Sequence, residues 1–419
     1  MTALDEREQR IEQAERDAYV VRGRELAAIR DEQSWRARYN YASFDEYCDQ
    51  RWELTPQYAN RLIAAAKFAE LCEKQLFLVP SRESHIRPLL SRLEYDDDRI
   101  AVWRDVLATT NGTKVKAVDV DNAISRFLAL RNKDYVTLTE WREMRETERT
   151  ALLGKIGKKA LNKQENADIE WADWSWNPVT GCLHGCPYCY ARNIAFEIYP
   201  PEVGFSPTIW PDRLTAPRNQ KVPTDGNVAA KNIFTCSMAD LFGRWVPAEW
   251  IERVLCEVAK NPQWNFLFLT KFPKRMAEFD IPENAWMGTT VDLQARVANA
   301  EKAFEKVKAK VRWLSIEPML QPLKFKRLDT FDWIVIGGAS PSAAVDGSPP
   351  TPVWNVPIDW IVDLHRQARE AGCMIYYKTN SGLSDLTRIR EFPGRGAEEP
   401  KAPDVFNYLG GIPKNEQVG

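Results

Sequence analysis

Between residues 169 and 380 the chain alternates short apolar runs with longer amphipathic ones, and this alternation limits the fold more than any other feature. The strand-type runs are IEWADWSW, NIFTCSM, NFLFLTK, AWMGTTV, VRWLSIEPM, WIVIGGAS and MIYYKTN. Between most of them lie helix-type stretches: ARNIAFEIY, PAEWIERVLCEVAKN, DLQARVANAEKAFEKVKAK and PIDWIVDLHRQAREAG. Runs that are apolar throughout belong to strands buried on both faces. Strand and helix in alternation predict a parallel sheet with right-handed crossovers. The expected fold class is therefore α/β, a full or partial (β/α) barrel of about six to seven parallel strands over residues 168–382. No G-x-G-x-x-G fingerprint stands at the first turn, which argues against a doubly wound dinucleotide fold. SPSAAVDGSPPTP after the sixth run reads as a surface excursion or a lid.

The first 135 residues read as an all-α module. Thr55 can cap a helix that has Pro56 at its first position. Phe44, Tyr47, Trp52 and Leu54 make an aromatic cluster before it, so the segment has helix-turn-helix proportions. The turn Asn111–Gly112 leads into a further helix. Gln57, Tyr58, Asn60 and Arg61 are residue types that read base edges or touch phosphates. Arg36, Arg38, Arg51 and Arg61 are offset by Asp45, Glu46, Asp49 and Glu53, so no basic stripe forms. The module can meet DNA or another protein. Residues 136–167 read as a charged linker and 383–419 as a C-terminal extension.

The formal net charge of −2 gives no overall pull toward nucleic acid or anionic lipid. The apolar runs are too short to span a membrane. The charged N-terminus lacks the apolar stretch of a signal peptide. A cytoplasmic location follows, with thiols kept reduced, so the eight cysteines are not read as disulfides. The sixteen tryptophans read mainly as core.

Directly after the first strand comes WNPVTGCLHGCPYCYARN, in which Cys182, Cys186 and Cys189 have C-x3-C-x2-C spacing. Three thiolates from one short loop can hold three irons of a four-iron cluster and leave the fourth open to an outside ligand. One alternative is a structural zinc site that adds His184 or Cys236, although zinc more often takes paired C-x2-C units. The other is three reduced thiols with no metal.

This spacing, with an aromatic residue before the last cysteine at the start of a β/α unit, resembles the signature of the radical S-adenosylmethionine superfamily. The resemblance implies a [4Fe-4S] cluster whose open iron binds S-adenosyl-L-methionine, and an external one-electron reductant. It implies reductive cleavage to a 5′-deoxyadenosyl radical that abstracts hydrogen from substrate. Tyr188 matches the aromatic position, which in that superfamily lies near the adenine. TCSMADLF, FLFLTKFPKRM, WMGTTV, LSIEPML and DWIVIGGAS are similar to successive blocks of a phage-encoded branch. That branch is associated with hypermodification of thymidine in phage DNA, a means of restriction evasion. The resemblance therefore implies DNA as substrate, host cytoplasm as location, and a radical isomerisation of an amino-acid-decorated thymidine. The competing expectations are a radical enzyme acting on a DNA lesion, a protein or a small molecule, and a non-enzymatic DNA-binding regulator carrying an iron–sulfur or zinc site.

In β/α folds function gathers at the C-terminal ends of strands. Reading those ends gives Ser237 and Asp240, then Lys271, Thr289–Thr290, Glu317, Gly337–Gly338 with Ser340, and finally Lys378 and Asn380. Asp240 and Glu317 are candidates for the methionyl amine or ribose hydroxyls of S-adenosylmethionine, or for loop capping and ion pairs. Gly337–Gly338 would let a flat ligand approach the backbone, or simply turn the chain. Lys271 and Lys378 are candidate catalytic residues that could pair with a substrate phosphate or carboxylate, or else close rim ion pairs. Cys236, His85 and His365 read as structural.

Overall fold

The computed structural model describes residues 3–33, 35–75, 77–110, 115–164, 169–224, 229–339, 353–384 and 388–394. Ser340 with the rest of the Pro/Ser-rich loop, the turn Asn111–Gly112 and most of the C-terminal extension lie outside the described residues. The chain divides into two units. One comprises Met1–Lys133 with Met144–Gly154, and the other Asp134–Glu143 with Lys155–Gly419.

The first unit is helical among its described residues. Thr55 Oγ1 accepts from the Tyr58 N–H at the start of helix Pro56–Lys74, and Ser43 caps helix Phe44–Trp52 in the same way. The turn between these helices passes through Glu53, which adopts φ 55°. Gln57, Asn60 and Arg61 are exposed, and the Arg61 guanidinium lies 5.3 Å from the Tyr58 ring.

Among its described residues the second unit contains eleven strands: β1 Val136–Thr137, β2 Asn162–Lys163, β3 Trp174–Trp176, β4 Val179–Thr180, β5 Thr208–Ile209, β6 Asn232–Thr235, β7 Asn265–Thr270, β8 Ala285–Thr290, β9 Val311–Ile316, β10 Trp333–Ile336 and β11 Met374–Tyr377. Eight form one sheet in the order β11-β10-β9-β8-β7-β6-β3-β2. From β3 to β11 all neighbours are parallel, and β2 joins the edge antiparallel. The mixed α/β class and the seven predicted parallel strands are thus present, and neighbours in the sheet follow chain order. β1, β5 and β4 form a separate small antiparallel sheet.

Stretch 136–167 is not a bare linker. It holds β1, β2 and two short helices, Leu138–Glu143 and Glu146–Leu153, and its residues are shared between the two units. The abundance of charge there hides Val136, Leu138 and Trp141, which are buried.

Alternate residues of the strands face an aromatic core containing Trp171, Phe234, Trp286, Trp313, Trp333 and Tyr376. Trp171, just before β3, has its ring 5.2 Å from that of Trp313 in β9. In a flat sheet these strands would stand roughly 19 Å apart at about 4.8 Å per step. Glu170 reaches further, accepting from the Thr379 N–H at 2.7 Å and from Arg390 at 2.5 Å, beyond the last strand. The sheet is therefore strongly curled, and the segment leading into β3 is joined by side chains to the chain that follows β11. Among the described residues no strand pairing closes it. The opposite face is covered by helices such as Ala248–Ala259, which buries Trp250, Ile251, Val254 and Val258 at i, i+3/i+4 spacing.

Candidate metal centre

All seven parallel strands present their C-terminal ends at one rim of the sheet, and the cysteine loop joins that rim beside β6. The Gly181 N–H donates to the Met238 carbonyl at 2.8 Å, and the Cys182 N–H to that of Phe205 at 3.2 Å. Gly181 has φ +83°, and a Cβ there would meet the Ser206 carbonyl oxygen at 2.1 Å. Glycine is needed at this neck on both counts. Gly185, at φ +66°, turns the loop in open space.

Cys182, Cys186 and Cys189 are all half-buried. Burial pushes the Cys182 thiol up to about 12, and that of Cys189 upward as well. The Arg192 N–H and the charges of Arg192 and Lys271 act against this rise at Cys189. The three thiols are near enough that each of the other two raises that of Cys182. Metal binding would have to displace their protons.

Among the described residues, no three His, Cys, Asp or Glu side chains converge as they would around one metal ion. A four-iron cluster asks for something different, one thiolate on each of three irons, with the sulfurs apart. A short, glycine-bearing loop with three mutually influencing, partly accessible thiols has the donor chemistry for that group. Cys182, Cys186 and Cys189 are the residues that would hold it.

The rings in the loop are anchored. His184 Nε2 lies 2.6 Å from Asp240 Oδ2. The imidazole packs between Phe272, at 4.7 Å, and Trp245, at 5.1 Å. Asp240 also accepts from the Thr270 hydroxyl at 2.6 Å, from the Lys271 N–H at 2.9 Å and from the Phe242 N–H at 3.1 Å. Its oxygens are thus engaged by the chain itself. Tyr188 donates its hydroxyl to buried Asp292, whose other oxygen accepts from Arg296 at 2.5 Å. Burial, then this contact, raises the Tyr188 phenol above its ordinary value. The Lys271 ammonium lies 5.4 Å from the Tyr188 ring centroid.

Ser237 exchanges hydrogen bonds with the Asn177 side chain after β3, and Asn177 Oδ1 also accepts from the Met238 N–H at 3.0 Å. Cys236 is buried at φ 59°, its thiol pushed up to about 12 by burial. Thr289 donates to the Thr270 carbonyl at 2.8 Å, and Thr290 is buried.

Further round the rim, Lys378 donates to Glu317 across 61 residues of chain. The Lys378 side chain is 5% exposed and that of Glu317 22%. A Cβ on Gly337 would meet the Asn380 side-chain oxygen at 2.7 Å, and one on Gly338 the Trp354 carbonyl at 2.1 Å. The two glycines therefore admit the protein's own groups at close range. An ion pair was one of the sequence alternatives for Glu317 and Lys378, and it accounts for the contact between them. His365 Nδ1 lies 2.8 Å from the Tyr377 hydroxyl on a helix packed behind the sheet, and His85 is buried in the helical unit.

Asn177, Arg192, Asp292 and Arg296 are rim residues that the sequence reading missed. Asp292 carries the one available signal, since it follows the strand WMGTTV directly, but it also reads as the start of the helix DLQARV.

No described helix is long and apolar enough to cross a membrane. No curated protein and no solved structure matches the chain. A family model described as "Protein of unknown function (DUF5131)" matches residues 166–395, from just before β3 to beyond β11. The match takes in more than half of the chain, including the cysteine loop and all seven parallel strands, and the chain belongs to that family.

Proposed function

We propose that the chain is a radical S-adenosylmethionine enzyme built on a partial β/α barrel, with Cys182, Cys186 and Cys189 holding a [4Fe-4S] cluster. One observation carries this reading: a C-x3-C-x2-C loop lies at the C-terminal rim of seven parallel strands wound in chain order. When bound, the cluster would supply one electron, from an external reductant, to split S-adenosylmethionine into methionine and a 5′-deoxyadenosyl radical.

The chain's own residues have separate tasks. The tryptophan-filled core keeps water out beneath the rim. Tyr188 and Lys271 border the loop, and the ammonium of Lys271 is placed to hold an anionic group of cofactor or substrate. Glu317 and Lys378 stiffen the opposite part of the rim. The substrate proposed is a thymine base of phage DNA carrying an amino-acid group such as glycinyl, rearranged by hydrogen abstraction next to nitrogen, migration, and hydrogen return. The exposed Gln57, Asn60 and Arg61 of the helical unit are the proposed DNA contacts.

The test is mass spectrometry of nucleosides from such DNA, incubated with the iron-loaded chain, dithionite and S-adenosylmethionine. An isomeric nucleoside of unchanged mass and altered retention is expected. Unaltered nucleosides alongside cleaved S-adenosylmethionine would contradict the proposed substrate and favour a protein, small-molecule or lesion substrate.

A further inference from the structure

We infer that Asp240 and Asp292 are positioning residues that clamp the cysteine loop from two sides and fix its thiols before any metal arrives. His184 lies between the first and second cysteines, and Tyr188 between the second and third. Each ring reaches a buried carboxylate at a different strand end: His184 meets Asp240 after β6, and Tyr188 meets Asp292 after β8. Cys186 is thereby bracketed.

Each carboxylate is itself fixed from the sheet side. Asp240 accepts from Thr270, Phe242 and Lys271 of its surroundings, and Asp292 from Arg296 at 2.5 Å. The Tyr188 hydroxyl donates to Asp292, and His184 Nε2 lies within hydrogen-bond distance of Asp240, so each ring is tied to a carboxylate that the sheet already holds. A loop with a glycine at Gly185 would otherwise have to be ordered at the moment of metal binding. Holding it beforehand removes that entropic cost, the usual gain of preorganisation. In a metal site the groups that orient the ligands matter almost as much as the ligands. Here the clamp acts on loop residues beside the ligands rather than on the thiols.

The importance of the clamp for metal uptake rests on the reading of the three cysteines as ligands, but the clamp itself can be tested without iron. Hydrogen exchange read by mass spectrometry on the full, metal-free chain would compare wild type with Tyr188→Phe and Asp292→Asn. In both variants the peptide covering residues 181–189 should exchange about tenfold faster, the scale of one lost hydrogen bond to a charged group. Peptides of β7 and β9 should be unchanged. A merely structural role would move all of these peptides together, and that result would overturn the inference, as would an unaltered loop. Should Asp292→Asn fail to fold, Tyr188→Phe answers alone, because it removes one oxygen and leaves Asp292 paired with Arg296. In a second arm, iron and sulfide are offered to the wild type. Uptake with faster loss to a chelator in Tyr188→Phe supports the clamp as a metal-site device. No uptake by wild type, with loop exchange still accelerated in the variants, sinks the cluster reading and leaves the clamp standing.

Discussion

Alanine at Cys182, Cys186 or Cys189 should abolish the brown iron–sulfur absorbance after anaerobic loading, and with it all cleavage of S-adenosylmethionine. The effect should be all or none, because a cubane held by three thiolates has no spare protein ligand. The fold should survive. The three cysteines are half-buried in a loop at the rim, whereas the aromatic core runs through Trp313 and Trp333 on the strands and Trp171 just before β3. Circular dichroism and the melting transition should therefore match wild type. Cys256→Ala, at an exposed helix position, is the control and should load iron normally. A rim variant that keeps both absorbance and cleavage would remove that cysteine from the ligand set.

Lys378→Met should cost about 3 kcal/mol of stability, because it leaves the Glu317 carboxylate without its cation at a partly buried site. The lysine is the more buried partner, and its side chain lies against Gly337. The double variant Lys378→Met with Glu317→Gln should recover much of that loss, since it removes both charges. Urea denaturation of the wild type, both single variants and the double variant forms the cycle that measures the coupling. Additive losses would mean that the two side chains do not depend on each other, and that the rim is organised differently.

The strands were legible because each is a run buried on both faces, and seven such runs end within a few residues of the observed strand ends. The two-residue strands β1, β2, β4 and β5 were not, since a pair of residues carries no periodicity. The curl of the sheet was equally hidden. It depends on Trp171 and Glu170 meeting groups 142 and 209 positions away in sequence or more, which no local pattern encodes. For the site, the polar residues at strand ends could be read as a set, but their partners could not. Glu317 and Lys378 read either as separate ligand contacts or as members of ion pairs, and the structure pairs them with each other. His184 attracted notice only as a possible zinc ligand, whereas its ring faces Asp240. Asp292 lay inside what reads as a helix start, and its role emerges only from the fold that brings β8 beside the loop.

The most direct test of the central claim is a single assay on the full chain. The chain is loaded anaerobically with iron and sulfide, reduced with dithionite and given S-adenosylmethionine, and 5′-deoxyadenosine is quantified by chromatography. Formation of 5′-deoxyadenosine that needs all three of iron, reductant and the intact Cys182, Cys186 and Cys189 is the predicted result. A chain that takes up the cluster yet yields no 5′-deoxyadenosine, or one that binds only zinc, would contradict the account.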